Sequence, residues 1–240
     1  MNRTNFILLK GLLLLVGFAI QAKEIQLGGF DWTVRSGQGG PGPNRWDERN
    51  VWLDSATNLH LRISQQNGAW TCAEVVMQKR LGFGRYEFHV TGRLDLLDEN
   101  VVLGLFNYPT GDVGPDGTHE IDIEFARWGV TRNPVGNFTV WPVARGQKQT
   151  TKSFSLNLSG DKTTHQFDWS REQILFQSLA IGDNDQRELF RWLYHPQEPS
   201  REISREPMPV HINLWLFRGR PPKNGRDVEI IIRCFKFVPE

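Results

Sequence analysis

Over several short stretches the chain alternates apolar and polar residues with a period of two, the pattern of an extended strand resting one face on a core. Asn58 to Ser64, Arg85 to Val90, Val135 to Trp141 and, more weakly, Ile174 to Leu179 follow it. Apolar runs at Val101 to Phe106, Ile212 to Phe217 and Val228 to Ile232 lack the alternation and predict strands buried on both faces. Gly, Pro and Asn clusters separate these segments, and no long window shows a capped helical period, so helix should be scarce. The predicted class is all-β: two packed antiparallel sheets, a jelly-roll sandwich. Ser36 to Pro43 reads as a loop, because it lacks the Gly-Lys-Ser/Thr ending of a phosphate loop and no helix pattern follows it.

The N-terminus departs from this pattern. Arg3 and Lys10 precede the apolar run Gly11 to Ile20, and Gln21-Ala22 closes it. That order matches a secretory signal peptide over residues 1–22, with cleavage expected after Ala22. The run is too short to span a bilayer as a helix, and no cysteine follows the cleavage point to take a lipid. The expected product is a single catalytic domain, residues 23–240, exported to an extracellular or periplasmic space without a membrane anchor and as a monomer.

Charge excludes one class of partner. With 28 basic and 27 acidic residues the net charge is +1, and no basic stripe suggests nucleic acid. Cys72 and Cys234 are the two cysteines. Export makes a disulfide between them reasonable, and its long loop would add about 4 to 5 kcal/mol in the chain-entropy model. Two buried free thiols in apolar strands are the other reading.

The densest chemistry lies in Glu120-Ile121-Asp122-Ile123-Glu124. Alternation projects Glu120, Asp122 and Glu124 to one side and Ile121, Ile123 and Phe125 to the other. Three neighbouring carboxyls repel unless at least one keeps a proton, so at least one pKa should be raised. At about 3.3 Å per residue the Cα atoms of Glu120 and Glu124 stand about 13 Å apart, and converging side chains bring the carboxyls to about 5 to 6 Å. That gap suits a retaining glycosidase. A merely solvated acidic strand would scatter its charges or mix their signs.

Aromatic content points the same way, since flat rings stack on the apolar faces of sugars and this chain has nine Trp and 15 Phe. Continued alternation places Trp128 on the acid face if the strand neither ends nor bulges first. Asn137, Thr139 and Trp141 share one face, as do Asn213, Trp215 and Phe217. An amide beside a stacking plane is what a pyranose recognises, and a buried Asn213 would otherwise need costly satisfaction.

Glu120 to Phe125 resembles the catalytic strand of glycoside hydrolase family 16, which includes laminarinases, lichenases, agarases, carrageenases and xyloglucan transglycosylases. Three further segments agree in order: Cys72-Ala73-Glu74 followed by Phe83-Gly84-Arg85-Tyr86-Glu87, then His165 to Trp169, then Pro209 to Trp215. The resemblance spans nearly all of residues 23–240 and implies a concanavalin-like jelly roll with a sugar cleft. It makes Glu120 the nucleophile, Glu124 the acid/base and Asp122 the residue that holds the nucleophile and modulates its proton. By the same resemblance Glu74, Asn213 and Trp215 contact substrate, with Asn137 and Trp141 as further candidates; Trp128 joins them on the alternation alone. His119 faces away from the acids and is expected to be structural, and His165 is assigned no chemistry.

The family usually has a Gly about three positions beyond the last acid, where this chain has Arg127. Many members carry a Trp-rich segment where this chain has Val102 to Tyr108, so substrate preference cannot be copied across, and the loop Pro109 to Thr118 is expected to rim the cleft. No cofactor is required. Some members hold a structural calcium with oxygen ligands; Asp227 is the one candidate here, and a surface turn is the plainer reading. The leading reading is a retaining endo-glycosidase acting on a β-linked polysaccharide or oligosaccharide by hydrolysis or transglycosylation. A non-catalytic carbohydrate-binding protein on the same fold is the alternative. An acid peptidase is disfavoured by the absence of an Asp-Thr-Gly motif.

Overall fold

The computed structural model describes residues 22–182 and 185–240, so the expected signal peptide lies outside the described residues except for Ala22. The chain begins with β1 (Glu24–Leu27), β2 (Phe30–Val34), the short pair β3 (Gly37–Gly39) and β4 (Asn44–Trp46), then β5 (Val51–Leu53), β6 (Leu59–Gln66) and β7 (Ala69–Thr71). Longer strands follow as β8 (Ala73–Leu81), β9 (Gly84–Thr91), β10 (Val101–Asn107), β11 (Ile121–Ala126) and β12 (Gly136–Val140). The last third supplies β13 (Thr150–Phe154), β14 (Lys162–Trp169), β15 (Ile174–Ile181), β16 (Gln186–Tyr194), β17 (Met208–Leu216) and β18 (Val228–Pro239). The α-helix among the described residues is the four-residue Pro199–Glu202.

Two antiparallel sheets hold all of these strands but β3 and β4, which pair as a separate two-stranded ribbon. The first runs β1-β2-β8-β17-β10-β11-β12-β13, and the second β16-β15-β14-β9-β18-β6-β5, with β7 paired to β6. Their inner faces meet through aromatic rings: Trp32 with Phe235 at 5.6 Å, Phe125 with His165 at 4.5 Å, and Phe138 stacked on Phe176 at 4.9 Å. This is the jelly-roll sandwich that the alternation predicts. β10 and β17 are buried almost throughout, because they lie mid-sheet beneath the cleft described below.

Three expectations are corrected. β18 alternates between buried and accessible positions because its outer face meets solvent, so the run Val228 to Ile232 is covered on one face only. Ser36 to Pro43 is largely a hairpin: β3 pairs with β4, and Asn44 Nδ2 ties the turn to the carbonyls of Pro41 at 2.7 Å and Leu216 at 3.0 Å. The expected disulfide is absent, since Cys72 and Cys234 are both free. A register shift between Ile232 and Cys234 turns Phe235 inward beside Ile230 and Ile232 and leaves Cys234 half-buried on the outer face. Cys72 is instead sealed in the core, where burial pushes its thiol up to about 12. Cys72 therefore sits in the core and Cys234 on the outer side of the second sheet.

Asp227 lies 3.6 Å from Arg62 as an exposed ion pair, and the described residues contain no cluster of three His, Cys, Asp or Glu side chains suited to a metal ion. No helix among them is long and apolar enough to cross a membrane.

With no bridge to break, the melting temperature of the purified domain should be the same with and without a thiol reductant. A fall of several degrees on reduction, read by differential scanning fluorimetry, would contradict the free-thiol arrangement.

Candidate active site

Strand pairing assembles the site. Glu124 lies opposite Gly104, Gly104 opposite Asn213 and Asn213 opposite Glu74, so one row crosses β11, β10, β17 and β8. The adjacent row sets Asp122 opposite Phe106 and Phe106 opposite His211. Both rows face away from the core. Glu120, just before β11, follows in the same direction, and its carbonyl accepts from the Trp141 N–H at 2.9 Å.

These residues form one cleft of about 620 Å³. Of the predicted residues it collects Glu120, Asp122, Glu124, Glu74, Trp128, Trp141, Asn213 and Trp215. Asn137 is the exception. It shares the acid face opposite Glu124, but its Nδ2 donates to the carbonyls of Ala126 and Val135 and its Oδ1 accepts from Ser153. Its amide is spent on holding the strand ends, so it is structural. His119 likewise turns from the cleft to Ser204, 2.9 Å away, and His165 is held between Ser178 and Thr163.

Trp128 reaches the cleft by an unexpected route. β11 ends at Ala126, and Trp128 adopts a left-handed backbone with φ of 55°, rare for a bulky side chain. There its ring meets Trp215 at 6.4 Å and Phe217 at 5.6 Å. Arg127 fixes this turn by donating to the carbonyls of Thr131, Asn133 and Asp95. His119 also has positive φ, 64°, so a strained residue brackets the acid strand at each end.

The charges are held as crowding requires. Asp122 is 3% exposed, while Glu120 and Glu124 are half-buried. Burial first, then the neighbouring Glu120, raises the Asp122 carboxyl well above its ordinary range. Glu124 is raised by burial and by Asp122. Burial lifts Glu120 to about 8, against the lowering effect of its hydrogen bond with Asp122. Trp141 Nε1 donates to Asp122 Oδ2 at 2.9 Å, and the buried Oδ1 has no hydrogen-bond partner among the described residues.

Gly104 is required at the centre of the floor. A Cβ there would stand 2.5 Å from Asn213 Oδ1 and 3.2 Å from the Phe106 ring. Asn213 Oδ1 has no partner among the described residues and is an available acceptor for a ligand. Arg35, Phe106, Tyr108, Asp116 and His211 also line the cleft and were not singled out from sequence. His211 was legible two positions before Asn213 on the same face. Arg35 was not, since strand order alone sets β2 beside β8.

The architecture is that of the family 16 β-glucanases. Superposition on the β-glucanase of Bacillus licheniformis gives a TM-score of 0.63 at 19% identity, covering 87% of this chain and 92% of that one. A family 16 protein from a mixed-linkage-glucan locus of Bacteroides ovatus, solved with a G4G4G3G product, gives 0.63 at 13% identity over 86% and 94%. A Mycobacterium tuberculosis protein described as an immunostimulatory antigen and pseudo β-1,3-glucanase gives 0.64 at 21% over 87% and 91%. No protein-family model matches the sequence, and no curated protein does.

The raised carboxyls make a stability prediction. Between about pH 4.5 and 8 the unfolded chain has lost the Glu120 proton while the folded chain keeps it, so this group's contribution to stability falls as pH rises through that window. Glu120→Gln removes the penalty. The variant should be more stable than the parent at pH 8, by on the order of 1 to 3 kcal/mol, and the gap should close below pH 4. Urea unfolding at the two pH values checks both parts.

Proposed function

We propose that this protein is an exported retaining glycoside hydrolase of the family 16 type that cleaves a β-linked polysaccharide, with β-glucans as the first substrates to test. The observation that supports this most is a set of three carboxyls with raised pKa on the floor of an open cleft walled by Trp128, Trp141 and Trp215. The likeness to glucanases agrees with it at the level of fold.

In this reading Glu120 attacks the anomeric carbon while Glu124, kept protonated by its surroundings, donates to the leaving oxygen. Glu124 then takes a proton from water, or from an acceptor sugar in transglycosylation, as the glycosyl-enzyme bond breaks. Asp122, held by Trp141, donates to Glu120 and lowers its pKa relative to burial alone, which keeps the nucleophile available. Trp128 and Trp215 offer stacking planes, and Asn213 an acceptor, to the sugars beside the bond that breaks.

A carbohydrate-binding protein on the same fold is the second reading, favoured by the close superposition on a protein described as a pseudo-glucanase. Reducing-end release from laminarin, mixed-linkage glucan, agarose and carrageenan separates the two. Turnover that Glu120→Gln abolishes supports the enzyme; binding without turnover on every polymer supports the alternative. Early products followed by NMR should keep the starting anomeric configuration, and inversion would remove Glu120 from its role.

Because the nucleophile must be ionised, kcat/KM should rise with pH along an acid limb well above 4.5 and toward 8. Asp122→Ala deletes the hydrogen bond that lowers Glu120. It should move that limb further alkaline and reduce turnover by about a hundredfold or more, as a pH series on the best polymer would register.

A further inference from the structure

At the β8 end of the cleft, about 14 Å from Glu124 across three strand spacings, the chemistry changes sign. Arg35 is there, and among the described residues it is the one permanently charged cation that lines the cleft. Its Nη1 donates to Glu74 Oε2 at 2.6 Å and its main-chain N–H to the Glu74 carbonyl at 2.9 Å. The guanidinium carbon lies 4.5 Å from the Trp46 ring centroid. Gly39 leaves space for the group, since a Cβ there would come within 2.8 Å of Nη2. The arginine is thus clamped in one pose.

Glu74, which the family resemblance casts as a sugar ligand, is 3% exposed and fully occupied. Its second oxygen pairs with His211 Nδ1 at 2.8 Å, and the His211 ring packs near Phe106 and Tyr108. It acts here as a positioning residue for two side chains that do reach the cleft. The remaining N–H groups of the Arg35 fork have no hydrogen-bond partner among the described residues while the side chain stays 33% exposed. A fixed guanidinium with free donors matches the two oxygens of a carboxylate or sulfate, whereas a hydroxyl would use one donor.

The surroundings add to this. The turn of the β3–β4 hairpin abuts Arg218, whose Cα would lie 3.6 Å from a Cβ on Gly42. Arg218 and Arg220 are exposed and form no ion pair among the described residues, and Arg218 lies over Phe217, which packs on Trp128.

We propose that the Arg35 end of the cleft is a subsite for an anionic sugar unit, one bearing a carboxylate or sulfate, and that Arg35 is its specificity-determining residue. The proposal rests on the cleft being a saccharide site, and its test is chosen to fail separately from the glycosidase reading. Binding is measured by calorimetry in the Glu120→Gln variant, so turnover is not involved. The probes are mixed-linkage-glucan oligosaccharides, the same oligosaccharides oxidised to glucuronate at C6, and carrageenan oligosaccharides.

The acidic probes should bind at least about tenfold more tightly than the neutral one at low salt. Adding Arg35→Gln should abolish that preference while changing neutral-probe affinity less than twofold, and Arg35→Lys should retain part of it. Because Arg35→Gln strands a buried Glu74, the Arg35→Gln/Glu74→Gln pair, which removes both charges, should give the same loss in a folded protein. Equal affinity for neutral and acidic probes would overturn the proposal. So would an acidic preference that salt removes but the Arg35 variants leave intact, since that describes diffuse attraction by the surface. Polymer cleavage with no charge preference would sink the subsite and spare the glycosidase; acidic binding without cleavage of any polymer would do the reverse.

Discussion

Three carboxyls crowd one face of a single strand, and everything around them is arranged to hold that crowding in place. Left in water, Glu120, Asp122 and Glu124 would ionise and repel; partly withdrawn from water, their carboxyls are raised by burial and by one another's charge and hold protons more firmly. Withdrawal costs stability, and the packing behind the strand offsets it. Ile121, Ile123 and Phe125 are fully buried against the second sheet, with Phe125 on the His165 ring. The strand cannot tilt to relieve its outer face without opening that core.

The same strand shows how strain and chemistry share a location. Its two flanks carry His119 and Trp128 in left-handed conformations, one tied to Ser204 and the other wedged between Trp215 and Phe217. Such conformations persist when the surroundings over-determine them. Here they end the strand abruptly on both sides, so the acids occupy a short rigid platform and the neighbouring loops can rise as walls. Gly104 keeps the floor of that platform low enough for a ligand.

Much of this was legible from residue order. The period-two pattern located β6, β9, β12 and β15 to within a few residues, because one-sided burial forces alternation on any strand. It missed β13, which is polar at most positions, and β16, whose apolar residues do not alternate cleanly; both sit at sheet edges, where solvent reaches more of the strand. The acid face was readable because side-chain direction in a strand follows from local geometry alone. Asn137 was assigned to the correct face and the wrong job: alternation says where an amide points, not whether backbone carbonyls have already claimed it.

What the sequence by itself determined is the local half of the protein: strand identity, the side on which each acid and indole emerges, and the need for retained protons among the acids. The tertiary structure alone decided which distant residues meet. It set Arg35 against Glu74, His211 beside Phe106 and Trp141 onto Asp122, and it turned Cys234 away from Cys72 through one bulge. The physical reason is that backbone alternation is a property of neighbours in the chain. Pairing order, register shifts and competition for hydrogen-bond donors are properties of neighbours in space.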